Sequence, residues 1–169
     1  MITQNQLLEY LKTNNISYDL FTHIPLFTCE QAEQVVTQMG IPGMGIKNLF
    51  LKDDKKNLYH IIAAYNTQVS LKALASTLHA KGLRFADATL LMQYLGVEPG
   101  SVTPMALIND KEQVVRIIVD ASIFEHALLQ MHPLKNDATI VITPDSLLKF
   151  FELIHRPYTV YDFVQNQAK

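Results

Sequence analysis

The 169 residues are 49% hydrophobic and 18% charged, the composition of a folded globular chain and not of a disordered segment. A net charge of -2 excludes a protein that coats nucleic acid through a broad basic surface, because such binding is driven by phosphate neutralisation. The single cysteine, Cys29, excludes an internal disulfide and a thiolate zinc site.

No apolar run approaches the ~20 residues of a membrane span, and Thr3, Gln4, Asn5 and Gln6 follow Met1 where a secretory leader would be basic and then apolar. One domain over residues 1–169, away from membranes and in the cytoplasm, is the expectation.

Thr3 and Gln6 have the spacing of a capping box ahead of a helix carrying Leu7, Leu8 and Leu11. Ile16, Tyr18 and Leu20 then alternate as in a strand. Thr28 and Gln31 repeat the capping spacing before a short helix that should stop near Gly40. Ile46 to Leu51 and Leu58 to Ala64 flank a polar stretch and read as a β-hairpin. Lys47 shares its side of that strand with Leu49 and Leu51, which puts an ammonium at the rim of an apolar face.

Ser70 to Leu78 and Asp87 to Leu95 read as helices, the second closed by Gly96. Met105 to Ile108 and Val114 to Val119 read as a second hairpin, and Ala127 to Met131 with Ala138 to Ile142 as strands. Thr143, Pro144 and Asp145 supply a cap, an N1 proline and an acidic first turn for a helix over Ser146 to His155. No element is assigned to Arg156 through Lys169. The class is mixed α/β without a regular βαβ repeat.

In Val97 to Pro104, two prolines bracket Gly100, which fixes φ at both ends and leaves a permissive position between them. The amides of Ser101, Val102 and Thr103 are candidates to cradle a carbonyl or a developing oxyanion, although a plain Pro-Gly turn explains the same residues. Lys47 can face a phosphate or carbonyl, or simply snorkel. His132, before Pro133, can act as acid or base or cap a turn. The other histidines have no HExxH spacing, so no metal is expected. Cys29 inside a helix N-terminus is a rival nucleophile, against the commoner fate of a small buried residue. Serine-hydrolase, P-loop and dinucleotide motifs are missing.

Several segments together resemble the YbaK/ProX family of aminoacyl-tRNA deacylases, also found as an editing domain within bacterial prolyl-tRNA synthetases. They are His23 to Thr28, Lys47 to Leu51, Gly82 to Ala86, Leu95 to Pro104 and His132 to Leu134, in that order and nearly end to end. The resemblance implies a curved mixed sheet or barrel-like core surrounded by helices. It also implies hydrolysis of a mischarged aminoacyl-tRNA, with the Gly100 to Pro104 loop and His132 to Leu134 most like the freestanding branch that acts on alanyl-tRNA(Pro).

On that reading Lys47, Gly100, Ser101, Val102, Thr103, Pro104 and His132 carry the chemistry, while Phe27, Thr28, Ile46, Asn48 and Met105 contact substrate. Lys47 would hold the terminal adenosine, and a ribose hydroxyl of the tRNA would assist the attacking water. No cofactor is implied. The partners are the acceptor end of tRNA(Pro) and, as an open alternative, prolyl-tRNA synthetase. Deacylation of cysteinyl-tRNA(Pro) and a noncatalytic tRNA- or synthetase-binding module are the competing readings.

Overall fold

A computed structural model describes residues 1–169 and every side chain except that of Cys29, so the thiol nucleophile reading lies outside the described residues. The chain runs α1 (Gln4–Thr13), β1 (Asp19–Thr22), α2 (Cys29–Met39), β2 (Met44–Lys52), β3 (Leu58–Ala64), α3 (Leu71–Thr77), β4 (Arg84–Phe85) and α4 (Ala88–Leu90). It continues through β5 (Val115–Asp120), β6 (Leu129–Met131), β7 (Ala138–Ile142), α5 (Pro144–Leu153), β8 (Tyr158–Asp162) and β9 (Gln167–Ala168). A π turn over Leu91–Leu95 extends α4, and 3-10 turns cover Pro104–Asn109 and Ala121–Glu125.

Local chemistry sets the helix ends. Thr3 and Gln6 form a reciprocal capping box, with Thr3 N donating to Gln6 Oε1 at 2.8 Å, worth about 1 kcal/mol for such a cap. Thr28 caps α2, and Gly40 ends it in the left-handed conformation. Ser70, Asp87 and Thr143 each accept a backbone N–H at the start of their helices. No helix among the described residues is long and apolar enough to cross a membrane.

Nine strands join in one mixed sheet, in the order β1-β7-β6-β2-β3-β5-β8-β9, with β4 on β2. All seven residues of β3 are buried because both of its faces are covered. Leu58 and Ile62 face the main core with Phe50, Val115 and Ile117, against Leu7 and Leu11 of α1 and Phe150 and Phe151 of α5. Tyr59 and Ile61 face a smaller cluster with Leu51, Leu74 and Tyr161.

The first expected hairpin forms, with Lys47 opposite Ala63 and Leu51 opposite Tyr59. The second does not. Pro104 presets a helical φ, and Thr103 caps the turn through Met105 N at 3.4 Å, so Met105 to Ile108 wind as a buried 3-10 turn. A short apolar run carries no periodicity that separates strand from buried helix. β5 instead pairs in parallel with β3 and with β8. The segment with no assigned element thus supplies β8 and β9, the far end of the sheet.

The sheet splits beside β2. One edge of β2 pairs with β6 only at Met44 and Gly45, and with β4 only at Leu51 and Lys52. Among the described residues, no strand pairs with Ile46 to Leu49 on that edge, and a cleft opens there. The close approach at the split requires Gly43, whose φ is +97° and where an added Cβ would lie 2.7 Å from the Leu128 carbonyl oxygen.

Candidate active site

The cleft beside β2 holds about 340 Å³, within the ~300–1,000 Å³ of typical small-molecule sites. Its walls include Phe27 and Thr28 at the start of α2, Ile46, Lys47 and Asn48 on β2, Gly100 and Val102 on the Pro-Gly loop, and His132 after β6. Eight of the twelve residues singled out from sequence therefore meet in one place. A larger concavity of about 400 Å³ lies between α1 and the end of α5. It takes in none of the twelve, and its acidic side chain, Asp110, is spent on a buried arginine.

Pro99 and Gly100 occupy the middle of a turn in which Ser101 N donates to Glu98 O at 3.0 Å and Gly100 has φ +89°. That is the pattern of a type II turn, which needs a positive φ at its third residue. The Ser101 amide is thereby consumed, so the expectation that three amides are available together is corrected. Among the described residues, the N–H groups of Val102 and Thr103 have no partner within the protein. Ser101, Thr103 and Pro104 are buried and do not line the cleft. The Thr103 hydroxyl donates to the His132 carbonyl at 2.6 Å, tying the loop to the end of β6. Met105, expected to shape the pocket, is 0% exposed and packs in the main core. Phe27 is 75% exposed and forms the rim, not a constriction.

The Lys47 ammonium donates to the Thr67 carbonyl just beyond β3. The loop around Thr67 is fixed by Asp120, a buried carboxylate that accepts from Ala64 N at 3.2 Å, from the Thr67 hydroxyl, and from Ser122 N and Oγ at 3.1 and 2.6 Å. The lysine is thus held at the cleft by a loop that a carboxylate on β5 anchors.

His132 Nδ1 donates to the Ala138 carbonyl at 3.0 Å, which places the proton of the neutral ring on Nδ1 and leaves Nε2 as an acceptor. Burial pushes its pKa below the ordinary 6.5, and the neighbouring His23 adds to that, against the opposing Ala138 carbonyl and Asp137. His23 lies 6.5 Å away, ring centroid to centroid. At neutral pH the imidazole is uncharged and able to take a proton.

Sequence reasoning missed Gln130, whose Nε2 donates to the carbonyls of Ile41, Pro42 and Gly43 at 3.0, 3.1 and 2.9 Å and so fixes the connection into β2. It also missed Asp120, Thr67 and His60. Of these, only His60 carried a local signal, as one imidazole inside the apolar run Leu58 to Ala64. The rest act across 20 to 89 residues of sequence. Among the described residues, no three His, Asp, Glu or Cys side chains gather where they could hold a metal ion.

A mixed sheet parted at one strand, with Lys47, Val102 and His132 lining the gap, agrees with the aminoacyl-tRNA editing class. The family model described as "Aminoacyl-tRNA editing domain" matches residues 26–150, and the chain belongs to that family. Prolyl-tRNA synthetase associated domain-containing protein 1 of Danio rerio is 36% identical over 151 residues, 88% of this chain and 81% of that protein. Prolyl-tRNA editing protein ProX of Acetoanaerobium sticklandii is 30% identical over 135 residues, 79% of this chain and 81% of that protein. A solved structure described as a candidate trans-editing enzyme for prolyl tRNA synthetase superposes with a TM-score of 0.69 at 15% identity, over 96% of this chain and 97% of that one. At that identity the superposition shows the shared fold.

Proposed function

We propose that the chain, acting as one editing unit over residues 1–169, hydrolyses the ester of a wrongly attached small amino acid, alanine, on tRNA(Pro). The observation that carries this reading is the meeting of Lys47, Asn48, Val102 and His132 around one cleft in a member of the editing family. Names of relatives that refer to prolyl-tRNA support the choice of tRNA.

An aminoacyl ester is already activated, so orienting water and stabilising the tetrahedral intermediate suffices. Water adds to the ester carbonyl carbon, negative charge gathers on its oxygen, and the bond to the ribose oxygen breaks to give free alanine and a tRNA hydroxyl. The Val102 amide supplies a donor to that oxygen, worth about 3 kcal/mol in comparable sites. The ribose hydroxyl orients the water, and His132 Nε2 accepts a proton. Lys47 holds the terminal adenosine, whose base rests on the exposed ring of Phe27. Size selection follows from a cleft that retains alanine and rejects proline, the second sieve that a synthetase pocket built for the larger residue needs.

The test is deacylation of alanyl-tRNA(Pro), cysteinyl-tRNA(Pro) and prolyl-tRNA(Pro) side by side with the purified protein. Release of alanine, faster than cysteine and with proline retained, is the expected result. Release of none of the three would leave only a binding role.

A further inference from the structure

His60 is 0% exposed in β3, between residues of the main core, and among the described residues the only hydrogen-bond partner of its side chain belongs to the cleft: Nε2 lies 2.9 Å from Asn48 Oδ1. Its other nitrogen, Nδ1, is buried with no partner. An imidazole in that position is unfavourable compared with an apolar side chain of similar size. The strand alternation around it, Leu58, His60, Ile62 and Ala64, is otherwise filled with aliphatic residues on the same face. The side chain that the imidazole holds, Asn48, lines the cleft, and its Nδ2 has no partner within the protein among the described residues.

We propose that His60 is a positioning residue that turns the Asn48 carboxamide so that its N–H groups, and not its carbonyl, face a substrate oxygen. The inference rests on the deacylase reading above and adds to it how the cleft acquires a side-chain donor.

The direction of the amide follows from the orphaned nitrogen. With the ring proton on Nε2, His60 donates to Asn48 Oδ1 and only a lone pair on Nδ1 goes bare. With the amide turned over, Nδ2 would donate to Nε2, and the ring proton would move to Nδ1 as a buried N–H with no acceptor. Bare N–H groups are rarer and costlier than bare acceptors. Protonation of both nitrogens is resisted by burial and by the Arg156 charge, which hold the His60 pKa down to about 3. The amide direction is therefore constant over any physiological pH.

Three measurements test this on the full-length protein. Nitrogen NMR of the imidazole should show one neutral tautomer with Nε2 protonated from pH 5 to 8; an Nδ1-protonated or charged ring in that range overturns the proposal. His60→Leu should keep or raise the melting temperature while lowering kcat/KM on alanyl-tRNA(Pro) about tenfold, since a donor swung out of place loses at least that much. His60→Gln, which can still donate to Asn48, should restore most of the activity, and it stands in if the leucine variant does not fold.

Asn48→Ala should also cost about tenfold, and adding His60→Leu to it should cost nothing further. Additive losses mean that His60 acts through general packing, and unchanged activity in His60→Leu and His60→Gln alike means that it positions nothing; either result defeats the proposal. A wild-type protein that releases no amino acid defeats the deacylase reading instead, and the tautomer measurement still decides the orientation of Asn48.

Discussion

At the junction between β5 and the end of α5, Arg156 and Asp110 have side chains 2% and 1% exposed and meet at 2.6 Å. The same guanidinium donates to the Asp110 and Val115 carbonyls, and the carboxylate also accepts from Val114 N and Val115 N at 3.2 and 2.9 Å. Across the sheet, the polar residues of the cleft are bound differently. Asn48, His132 and Lys47 each make one bond into the scaffold, to His60, to the Ala138 carbonyl and to the Thr67 carbonyl. Each keeps further hydrogen-bonding capacity for something else. Both regions place polar atoms in apolar surroundings, but the junction satisfies its groups with one another, save the buried Arg156 Nε, while the cleft holds its groups still and leaves them partly open. The first arrangement stabilises the fold; the second marks the candidate site.

Substitutions should separate the two regions. The largest effect is expected at the junction: Arg156→Ala strands a buried carboxylate and should cost about 3–5 kcal/mol in urea unfolding, with turnover per folded molecule unchanged. Equal loss of turnover would show that the junction also serves the site. In the cleft the effect should invert. Gly100→Ala meets no atom within 4 Å, so its penalty is the left-handed backbone alone, about 1–2 kcal/mol. The same change should lower kcat by roughly 10²-fold or more as the turn shifts the Val102 donor, read in single-turnover deacylation.

Thr103→Val probes the seam between the loop and β6. It leaves the His132 carbonyl without its 2.6 Å donor and should cost about 1–3 kcal/mol together with part of the activity, a mixed outcome that neither region alone predicts. Counted per pH unit, the smallest effect is on pH. As pH falls below the ordinary 6.5, the unfolded chain protonates His60, whereas the folded chain resists until about 3. Stability should therefore fall through that window, by at most about 1.4 kcal/mol per pH unit from this group, and His60→Leu should flatten the slope in acid melts. An unchanged slope would mean that other groups dominate it.

Much of the frame was legible in the residues. Thr3 with Gln6, Thr28 with Gly40, and Thr143 with Pro144 mark helix ends through bonds made within a few residues, and the structure shows these ends where local chemistry requires them. The first hairpin was legible for the same reason, since two apolar runs flank a short polar turn. Met105 to Ile108 was not, because a buried 3-10 turn and a buried strand present the same run of apolar side chains. The parallel pairing of β5 with β3 and β8 has no local signature at all, since its partners come from distant parts of the chain.

The site divides along the same line. Its candidate groups were legible as residue types: a lysine on an apolar strand, a glycine between prolines, a histidine before proline. Which backbone amides remain free was not, because the Glu98 carbonyl takes the Ser101 N–H only once the turn has closed. The sequence by itself determined the helix caps, the central hairpin and the turn at Pro99 and Gly100, since each arises from neighbours a few bonds apart. Only the tertiary structure decided where β2 loses its partner, which histidine grips Asn48 and which carboxylate anchors the Thr67 loop, because those contacts exist only after distant strands have been brought into register.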